Sequence, residues 1–328
     1  MNRKMNSIFL IEWQCFLIIG PLRSAPVSLN SRWTQDGCIV AGDKEKGHGL
    51  NQLNTPGMLF IDEDENLYIA DHDNHRIIEW KPGATSGRVV AGGNGRGHRS
   101  DQLNCPRDVI VDQENDCFII SDTWNRRVVR WPRRGAKRGE TIITGIGCHG
   151  LTMDDRGFLY ICEDDQHVVK RWKIGEKEGQ VVAGGNGSGA GLDQLCMPIF
   201  VFVDRDHSVY VADYGNHRVM RWTEGASHGV VVAGGNNFGE LPSQITAPNA
   251  IVVDQLGTVY VTDLGNNRIM RWPKDATEGT IVVGGNGSGT QLNQFNNPVG
   301  LSFDRYGNLY VVDSGNHRVL KFPIDRHS

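Results

Sequence analysis

The chain has 328 residues, of which 39% are hydrophobic and 22% are charged, and this balance excludes a largely disordered protein. Its formal net charge of −4 opposes non-specific binding to a polyanion, although it is compatible with a local basic patch. The 41 glycines exceed average usage, which indicates many tight turns.

The N-terminal segment begins with basic Arg3 and Lys4, followed by an apolar run over residues 8–19. This order is typical of a secretory signal, although two polar residues interrupt the run and no small-x-small cleavage site follows. The run is shorter than the ~20 apolar residues that span a bilayer. We therefore expect residues 1–29 to be a signal peptide or a disordered leader, in an extracellular protein or otherwise a cytoplasmic one, without a membrane span.

The rest of the chain contains six copies of one unit, five of which carry a D-x-x-N-x-R pattern, at steps of 51, 41, 50, 50 and 50 residues. The acidic residues at the first position are Asp71, Asp122, Glu163, Asp213, Asp263 and Asp313. The residues five positions later are Arg76, Arg127, Val168, Arg218, Arg268 and Arg318. An internal period of this length indicates a repeat architecture rather than two independent domains.

Each copy contains four short runs rich in Val, Ile, Tyr and Trp, bounded by turn residues and without helical periodicity. Four antiparallel strands in such a unit are typical of a propeller blade. The predicted fold is all-β: a single six-bladed β-propeller domain over residues 30–328, with almost no helix. The blades are expected near 56–92, 106–145, 148–184, 198–234, 248–284 and 298–322.

The two ends of the repeat region predict how the ring closes. The sixth unit stops after its third strand, at residues 319–322, whereas residues 37–42 match the fourth strand at 229–234. We therefore expect the N-terminal strand, within residues 33–42, to complete the last blade. Closure of this kind leaves only short sheet edges exposed.

The D-x-x-N-H-R-V core, as in residues 213–219 and 313–319, resembles the NHL repeat. The resemblance implies a six-bladed propeller, and the tandem VVAGGNGSG and QLNQ spacers make it look like a free-standing NHL-repeat protein. The ligase role of tripartite-motif relatives is not expected, because no RING-type cluster, B-box or coiled coil precedes the repeats in this sequence. The third copy departs from the pattern, with Glu163, Val168 and a Cys148 in place of proline, and with an entering loop about ten residues shorter. We expect that blade to form with a weaker cap.

Recurrence decides how the repeat residues are interpreted. An Asp and an Arg on either side of one turn look catalytic when taken singly, but they recur in five copies. A carboxylate in such a turn can accept backbone N–H groups and pair with the guanidinium. We interpret these pairs, and the histidines at His75, His167, His217 and His317, as a structural clamp.

Positions that vary between the copies are the candidates for recognition. The turn between the second and third strands and the loop that enters each blade share one face, around the mouth of the channel. The candidate ligand-binding residues are His72, Arg107, Asp108, Trp124, His149, Tyr214 and Asn249. This predicts a monomeric, non-catalytic binding protein with a protein, peptide or glycan partner; neutral variation of the loops is the simpler alternative.

A basic cluster in the second copy suggests an alternative. Tripartite-motif relatives bind RNA on a basic propeller face, which makes RNA or another polyanion a second candidate partner. The candidate polyanion-binding residues are Arg126, Arg130, Arg133, Arg134, Lys137 and Arg138.

An enzymatic role is the remaining alternative. Amidating lyase resembles NHL proteins, and lactonases share the architecture, which implies a divalent metal near the channel. The residues that could serve as ligands are His149, Asp108 and Asn249, but no nucleophile–base motif occurs, so neither catalysis nor a cofactor is expected.

The cysteines and two sequons bear on the compartment. None of the seven cysteines forms a CxxC pair, and the six beyond Cys15 are compatible with disulfides or with free thiols. Asn186 and Asn286 begin glycosylation sequons, which matter only if the chain is secreted.

Overall fold

β-branched and aromatic residues dominate the strands of the protein. The computed structural model describes residues 27–28, 30–42, 45–135 and 137–325. The predicted signal peptide or leader, residues 1–29, lies outside the described residues except for Val27 and Ser28. Within the described part, the structure contains 26 strands and five one-turn 3₁₀ helices, and no helix is long and apolar enough to cross a membrane.

Six four-stranded antiparallel sheets form the blades, and two short strands precede the first of them. The preceding strands are β1 (Arg32–Trp33) and β2 (Cys38–Ala41). Blade 1 contains β3 (Leu59–Ile61), β4 (Leu67–Asp71), β5 (Arg76–Trp80) and β6 (Arg88–Gly92). Blade 2 contains β7 (Asp108–Asp112), β8 (Cys117–Asp122), β9 (Arg127–Pro132) and β10 (Glu140–Thr144).

The middle of the chain forms blades 3 and 4. Blade 3 contains β11 (Cys148–Met153), β12 (Phe158–Glu163), β13 (Val168–Lys173) and β14 (Gln180–Gly184). Blade 4 contains β15 (Pro198–Val203), β16 (Val209–Asp213), β17 (Arg218–Trp222) and β18 (Val230–Gly234).

The remaining strands form blades 5 and 6. Blade 5 contains β19 (Pro248–Val253), β20 (Val259–Asp263), β21 (Arg268–Trp272) and β22 (Thr280–Gly284). Blade 6 contains β23 (Pro298–Phe303), β24 (Leu309–Asp313) and β25 (Arg318–Phe322), after which β26 (Ile324–Asp325) ends the described chain. The four strands of a blade are called a to d, from the channel outwards.

The N-terminal strand closes the ring. Strand β2 pairs antiparallel with β25 and becomes strand d of blade 6, with Ala41 opposite Val319. The a strands of neighbouring blades contact one another around the whole circle, including β23 of blade 6 against β3 of blade 1. The all-β, six-bladed prediction is therefore confirmed.

The closing segment is more elaborate than one strand. Strand β1 leaves the blade and pairs with β26, with Trp33 opposite Ile324. The Trp33 side chain is buried among Tyr260 and Phe303, and its indole N–H donates to the Gly307 carbonyl at 2.8 Å. Both ends of the propeller are thus fixed to each other as well as to blade 6.

The hydrophobic core lies between the faces of adjacent blades. The cluster between blades 3 and 4, for example, joins Tyr160 and Val169 with Val211 and Trp222. A single four-stranded sheet could not bury both of its faces, so each blade depends on its neighbours. This arrangement leaves the turns at the two ends of the channel free to carry polar groups.

Candidate functional site

The turn between strands b and c is held by the Asp and Arg of the repeat, the clamp. In blade 6, Oδ1 of Asp313 accepts the backbone N–H of Asn296 at 2.7 Å, and Oδ2 accepts from Nε of Arg318 at 2.8 Å and from the Asn316 amide at 2.8 Å. Desolvation raises the pKa of Asp313, and these three donors oppose the rise. The Asp313 and Arg318 side chains are both fully buried.

The guanidinium of the clamp also reaches the loop that enters the blade. Arg318 donates to the carbonyl oxygens of Thr290, Gln291 and Gln294 at 2.7–3.0 Å. Five blades have an equivalent Asp–Arg ion pair at 2.7–2.8 Å. The pairs are Asp71–Arg76, Asp122–Arg127, Asp213–Arg218, Asp263–Arg268 and Asp313–Arg318. The clamp therefore places the b–c turn and the entering loop on one face of the propeller.

Blade 3 holds its b–c turn differently. Glu163 pairs with Lys170 at 2.9 Å, and Val168 occupies the position of the clamp arginine. Its entering loop is the short one, so the carbonyl groups that an arginine would bind are missing from the sequence.

The histidines of the repeat connect neighbouring blades. Each follows the b–c turn in a left-handed backbone conformation, with φ of 54–56° at His75, His167, His217 and His317. In blade 4, Nδ1 of His217 accepts the backbone N–H of Ala247 in the loop entering blade 5, at 3.1 Å. A neutral imidazole is required for this bond, and burial lowers the pKa of His75 and of His317.

Side chains from blades 1 to 4 gather around one end of the channel. The group comprises His72, Arg107, His149, Asp164 and Tyr214, and is called the channel mouth. Nε2 of His149 lies 3.3 Å from Oδ2 of Asp164. Arg107 is close enough to His72, Asp164 and Tyr214 for their charges to be coupled, since Arg107 affects the pKa of His72 while Asp164 and Tyr214 affect that of Arg107.

The channel mouth contains polar atoms without partners. Among the described residues, no acceptor hydrogen-bonds the Arg107 guanidinium. Nε2 of His72 and Nδ1 of His149 are also buried, and neither has a hydrogen-bond partner within the part of the chain that the structure describes. Unsatisfied buried polar groups of this kind cost about 1–3 kcal/mol each, so a ligand that satisfied them would bind favourably.

Burial and charge set the protonation of the mouth. Burial lowers the pKa of the Arg107 guanidinium, and the Asp164 carboxylate opposes that shift. Burial also lowers the pKa of His72. For Asp164, desolvation favours a higher pKa, but the His149 contact and backbone hydrogen bonds together outweigh it, and the net pKa is lowered. The mouth therefore combines a permanent cation with a carboxylate that is ionised at neutral pH.

Three of the predicted ligand-binding residues lie elsewhere or are already engaged. Asp108 is buried, and its two oxygens accept the backbone N–H groups of Val109 and Leu151 at 2.8 and 2.9 Å, which ties β7 to β11. Asn249 is buried at the start of β19. Trp124 is 59% exposed on the b–c turn of blade 2, where the Arg96 guanidinium carbon lies 5.2 Å from its ring centroid.

The repeat and the fold identify the family. Residues 195–221 and 295–322, in blades 4 and 6, match the family model described as NHL repeat. The chain is an NHL-repeat β-propeller. No curated protein sequence matches it.

Solved structures share this NHL-repeat protein's fold at low sequence identity. An auxiliary nutrient binding protein from Bacteroides thetaiotaomicron VPI-5482 has a TM-score of 0.70 and 16% identity, covering 90% of this chain and 78% of that one. A gluconolactonase from Xanthomonas campestris has a TM-score of 0.61 and 11% identity, covering 94% and 98%. Virginiamycin B lyase from Staphylococcus aureus has a TM-score of 0.54 and 12% identity, covering 89% and 99%.

The basic residues of blade 2 are largely paired in the NHL-repeat propeller. Arg126 contacts Asp165 at 2.8 Å and Arg130 contacts Glu140 at 2.6 Å. Two more residues of the predicted polyanion set, Arg133 and Arg134, contact Asp116. The last two, Lys137 and Arg138, are exposed. The acidic partners reduce the positive potential that a polyanion would need.

Arg133 belongs to a second repeated network that sequence reasoning missed, on the face opposite the mouth. Its guanidinium donates to the Tyr68 hydroxyl at 2.8 Å, and that hydroxyl donates to Asp62 at 3.0 Å. Related groups of Asp, Tyr and a cation recur in blades 3 to 6; they are Asp154–Tyr160–Arg171, Asp204–Tyr210–Arg221, Asp254–Tyr260–Arg271 and Asp304–Tyr310–Lys321. Their fixed spacing in the sequence was a signal that could have found them.

The channel and the thiols of the propeller offer little chemistry. A channel cavity of about 90 Å³ is lined mainly by apolar side chains of the a strands, including Phe200, Phe202 and Phe303. All six described cysteines are free, and Asn186 and Asn286 of the sequons are exposed.

Proposed function

We propose that the protein is a binding module whose channel mouth captures a carboxylate of a protein or peptide partner. The observation that carries the proposal is the Arg107 guanidinium, which lacks an acceptor among the described residues and is held beside Tyr214. A guanidinium binds a carboxylate through two parallel hydrogen bonds, a geometry that an acidic side chain or a C-terminus satisfies.

The surroundings of Arg107 support this interpretation. Nδ1 of His149 has no hydrogen-bond partner in the described part of the chain, and the Tyr214 hydroxyl is a further potential donor. Trp124 adds an exposed aromatic surface on the same face, of the kind that anchors partners at interfaces. One protein of similar fold is described as an auxiliary nutrient binding protein, which is compatible with a binding role.

Other candidate functions have weaker support. The metal-ligand set suggested for a lyase or hydrolase is not assembled, because Asp108 is occupied by two backbone N–H groups and His149 contacts Asp164. RNA binding would rely on blade 2 arginines that already contact acidic residues.

Two peptide pools that differ only in charge test the proposal. Random acetylated peptides with a central Glu and a free C-terminus are compared with peptides that carry Gln and a C-terminal amide, on the immobilised full chain. We expect retention of the acidic pool, a loss of at least tenfold in Arg107→Gln, and weaker retention in Trp124→Ala, because charge-assisted bonds are worth about 1.5–3 kcal/mol.

The matched control is Arg205→Gln, since Arg205 is an exposed arginine at the a–b turn of blade 4, on the opposite face. Equal retention of the two pools, or an equal effect of both arginine substitutions, contradicts a carboxylate site at the mouth. If the protein retains acidic glycans and not the peptides, the carboxylate site at the mouth stands and the partner is a glycan.

A further inference from the structure

Three side chains at the junction of blades 1 and 2 bring different metal-binding atoms together. His72 and Asp73 lie on the b–c turn of blade 1, and Cys105 lies in the loop that enters blade 2. One nitrogen, one carboxylate oxygen and the sulfur of these residues all lie within 4.8 Å of one another.

The local backbone explains why these residues meet. The one-turn helix His72–Asn74 places the first two side chains on the turn, and the backbone N–H of Cys105 donates to Nδ1 of His75 at 3.1 Å. Cys105 itself has a left-handed conformation, with φ of 51°. The junction is therefore held by the inter-blade contact that recurs in other blades, not by the cluster itself.

The residues at this junction differ from those at the equivalent positions of the other blades. The positions that correspond to His72 hold Thr123, Asp164, Tyr214, Leu264 and Ser314, and those that correspond to Cys105 in blades 1, 4, 5 and 6 hold Thr55, Met197, Ala247 and Asn297. The combination of imidazole, carboxylate and thiol is thus a local addition to the repeat, and the repeat frame does not require it.

The donor atoms match one class of metal. Nitrogen, sulfur and carboxylate oxygen together suit zinc and similar divalent ions, whereas Mg²⁺ and Ca²⁺ prefer oxygen alone. Ligand atoms at about 2.0–2.3 Å from a tetrahedral zinc ion lie about 3.5 Å apart. Nδ1 of His72 and Oδ1 of Asp73 are hydrogen-bonded at 2.7 Å, so a bound ion has to replace this contact, and the remaining atoms lie within 4.8 Å. A thiolate and a carboxylate also balance the charge of a divalent ion.

A metal ion has access to the cluster, and a hydrogen bond orients the Asp73 carboxylate. The Asp73 side chain is 38% exposed and that of His72 is 13% exposed, so solvent reaches these two ligands, whereas Cys105 is buried. The Thr55 hydroxyl donates to Oδ2 of Asp73 at 2.9 Å, and no described residue hydrogen-bonds Nε2 of His72. Supporting hydrogen bonds of this type orient metal ligands. The charge of Arg107 acts on both His72 and Cys105 and opposes a bound cation.

We propose that His72, Asp73 and Cys105 form a binding site for a divalent metal ion of the zinc type. Three protein ligands leave at least one coordination position for water or a further ligand. The site lies beside Arg107 and is independent of carboxylate capture by that residue.

Cobalt spectroscopy tests the proposal. The full chain is reduced, treated with a chelator and titrated with Co²⁺. We expect one equivalent to bind with a thiolate-to-cobalt charge-transfer band in the near ultraviolet, and Zn²⁺ to displace it. Cys105→Ser should lose the band, while His72→Ala and Asp73→Asn should weaken binding at least tenfold.

The control is Cys196→Ser, which removes the thiol one position earlier in the corresponding loop of blade 4 and should retain the band. No band in the parent chain, or a band that survives Cys105→Ser, overturns the proposal. If Cys105→Ser does not fold, Asp73→Asn provides the test, because Asp73 is partly exposed. Unchanged affinity of this variant for Co²⁺ rejects the site.

Arg107→Gln distinguishes this proposal from carboxylate capture. It should tighten Co²⁺ binding by removing an adverse charge while abolishing retention of acidic peptides. Weaker Co²⁺ binding in this variant would contradict the assigned ligands.

Discussion

The junction between blades 2 and 3 differs from the other five junctions of the ring. At each of the five, the side chain after the b–c turn accepts a backbone N–H of the next entering loop at 3.1–3.2 Å. The pairs are His75–Cys105, His167–Met197, His217–Ala247, Asn267–Asn297 and His317–Thr55.

The exceptional junction uses side chains of another kind. Arg126 replaces the histidine and contacts Asp165 at 2.8 Å. The hydroxyl groups of Ser121 and Thr123 donate to the Cys148 carbonyl at 2.7 and 2.8 Å, and the Asp108 carboxylate accepts the N–H of Leu151. The ring is therefore continuous there without the repeated acceptor.

The difference shows what the clamp arginine does. Five blades have an arginine and a long entering loop whose carbonyls it binds, whereas blade 3 has neither. The guanidinium is thus needed to hold the loop more than to shape the turn, since the blade 3 turn forms without it. The irregular junction also supplies His149 and Asp164 to the channel mouth.

The largest expected effect comes from breaking the clamp in a regular blade. Arg318→Ala should lower the free energy of unfolding by about 3–5 kcal/mol, because it leaves the buried Asp313 charge unpaired and releases a loop. Lys170→Ala in blade 3 should cost less, because Lys170 is partly exposed and holds no loop, although the buried Glu163 carboxylate also loses its cation. Urea unfolding measures both.

Equal losses of stability in the two variants would show that Arg318 in blade 6 and Lys170 in blade 3 contribute equally to folding. Unchanged stability of Arg318→Ala would remove the clamp as a source of stability.

Asp108 gives the irregular junction its own pH dependence. Burial raises the pKa of Asp108 to about 7, despite two backbone hydrogen bonds that lower it. Because the folded pKa lies above the unfolded value, the associated stability is present at low pH and is lost as the pH rises through about 7. Relative to Asp108→Asn, the wild type should lose about 1.4 kcal/mol per unit between about pH 5 and about pH 7.

Urea unfolding of the two proteins across this range provides the measurement. Parallel pH profiles for the wild type and Asp108→Asn would contradict a buried titrating carboxyl group at this position.

A regular junction should show the opposite pH dependence with a smaller effect. Burial lowers the pKa of His317, so its contribution is present above the ordinary histidine value and is lost as the pH falls below about 6.5. His317→Ala should cost about 1 kcal/mol at neutral pH, because the Thr55 N–H loses its acceptor.

His317→Asn is the matched variant, since Asn267 makes the same contact in blade 5 through Oδ1. We expect it to retain most of the stability at neutral pH and to show a shallower loss on acidification, in thermal melts at several pH values. A variant as acid-sensitive as the wild type would exclude His317 as a source of the loss.

Much of this structure could be predicted from the periodic sequence. The position of Asp313 relative to Arg318 recurs in five copies, which predicted the blades and their closure by an N-terminal strand. The pairing of β1 with β26 was missed because two-residue strands carry no periodic signal. Asp108 was predicted as a mouth residue, but its partner N–H lies 43 positions away in the chain.

The sequence by itself determined the number of blades, the order of their strands and the residues that recur in each turn. Those features depend on local propensity and on a period that is visible along the chain. Only the tertiary structure decided that the Arg107 guanidinium has no hydrogen-bond acceptor among the described residues, that blade 2 arginines have acidic partners, and that His72, Asp73 and Cys105 meet. These properties depend on contacts between blades, and the distances across a closed ring are not encoded in the spacing of residues along one chain.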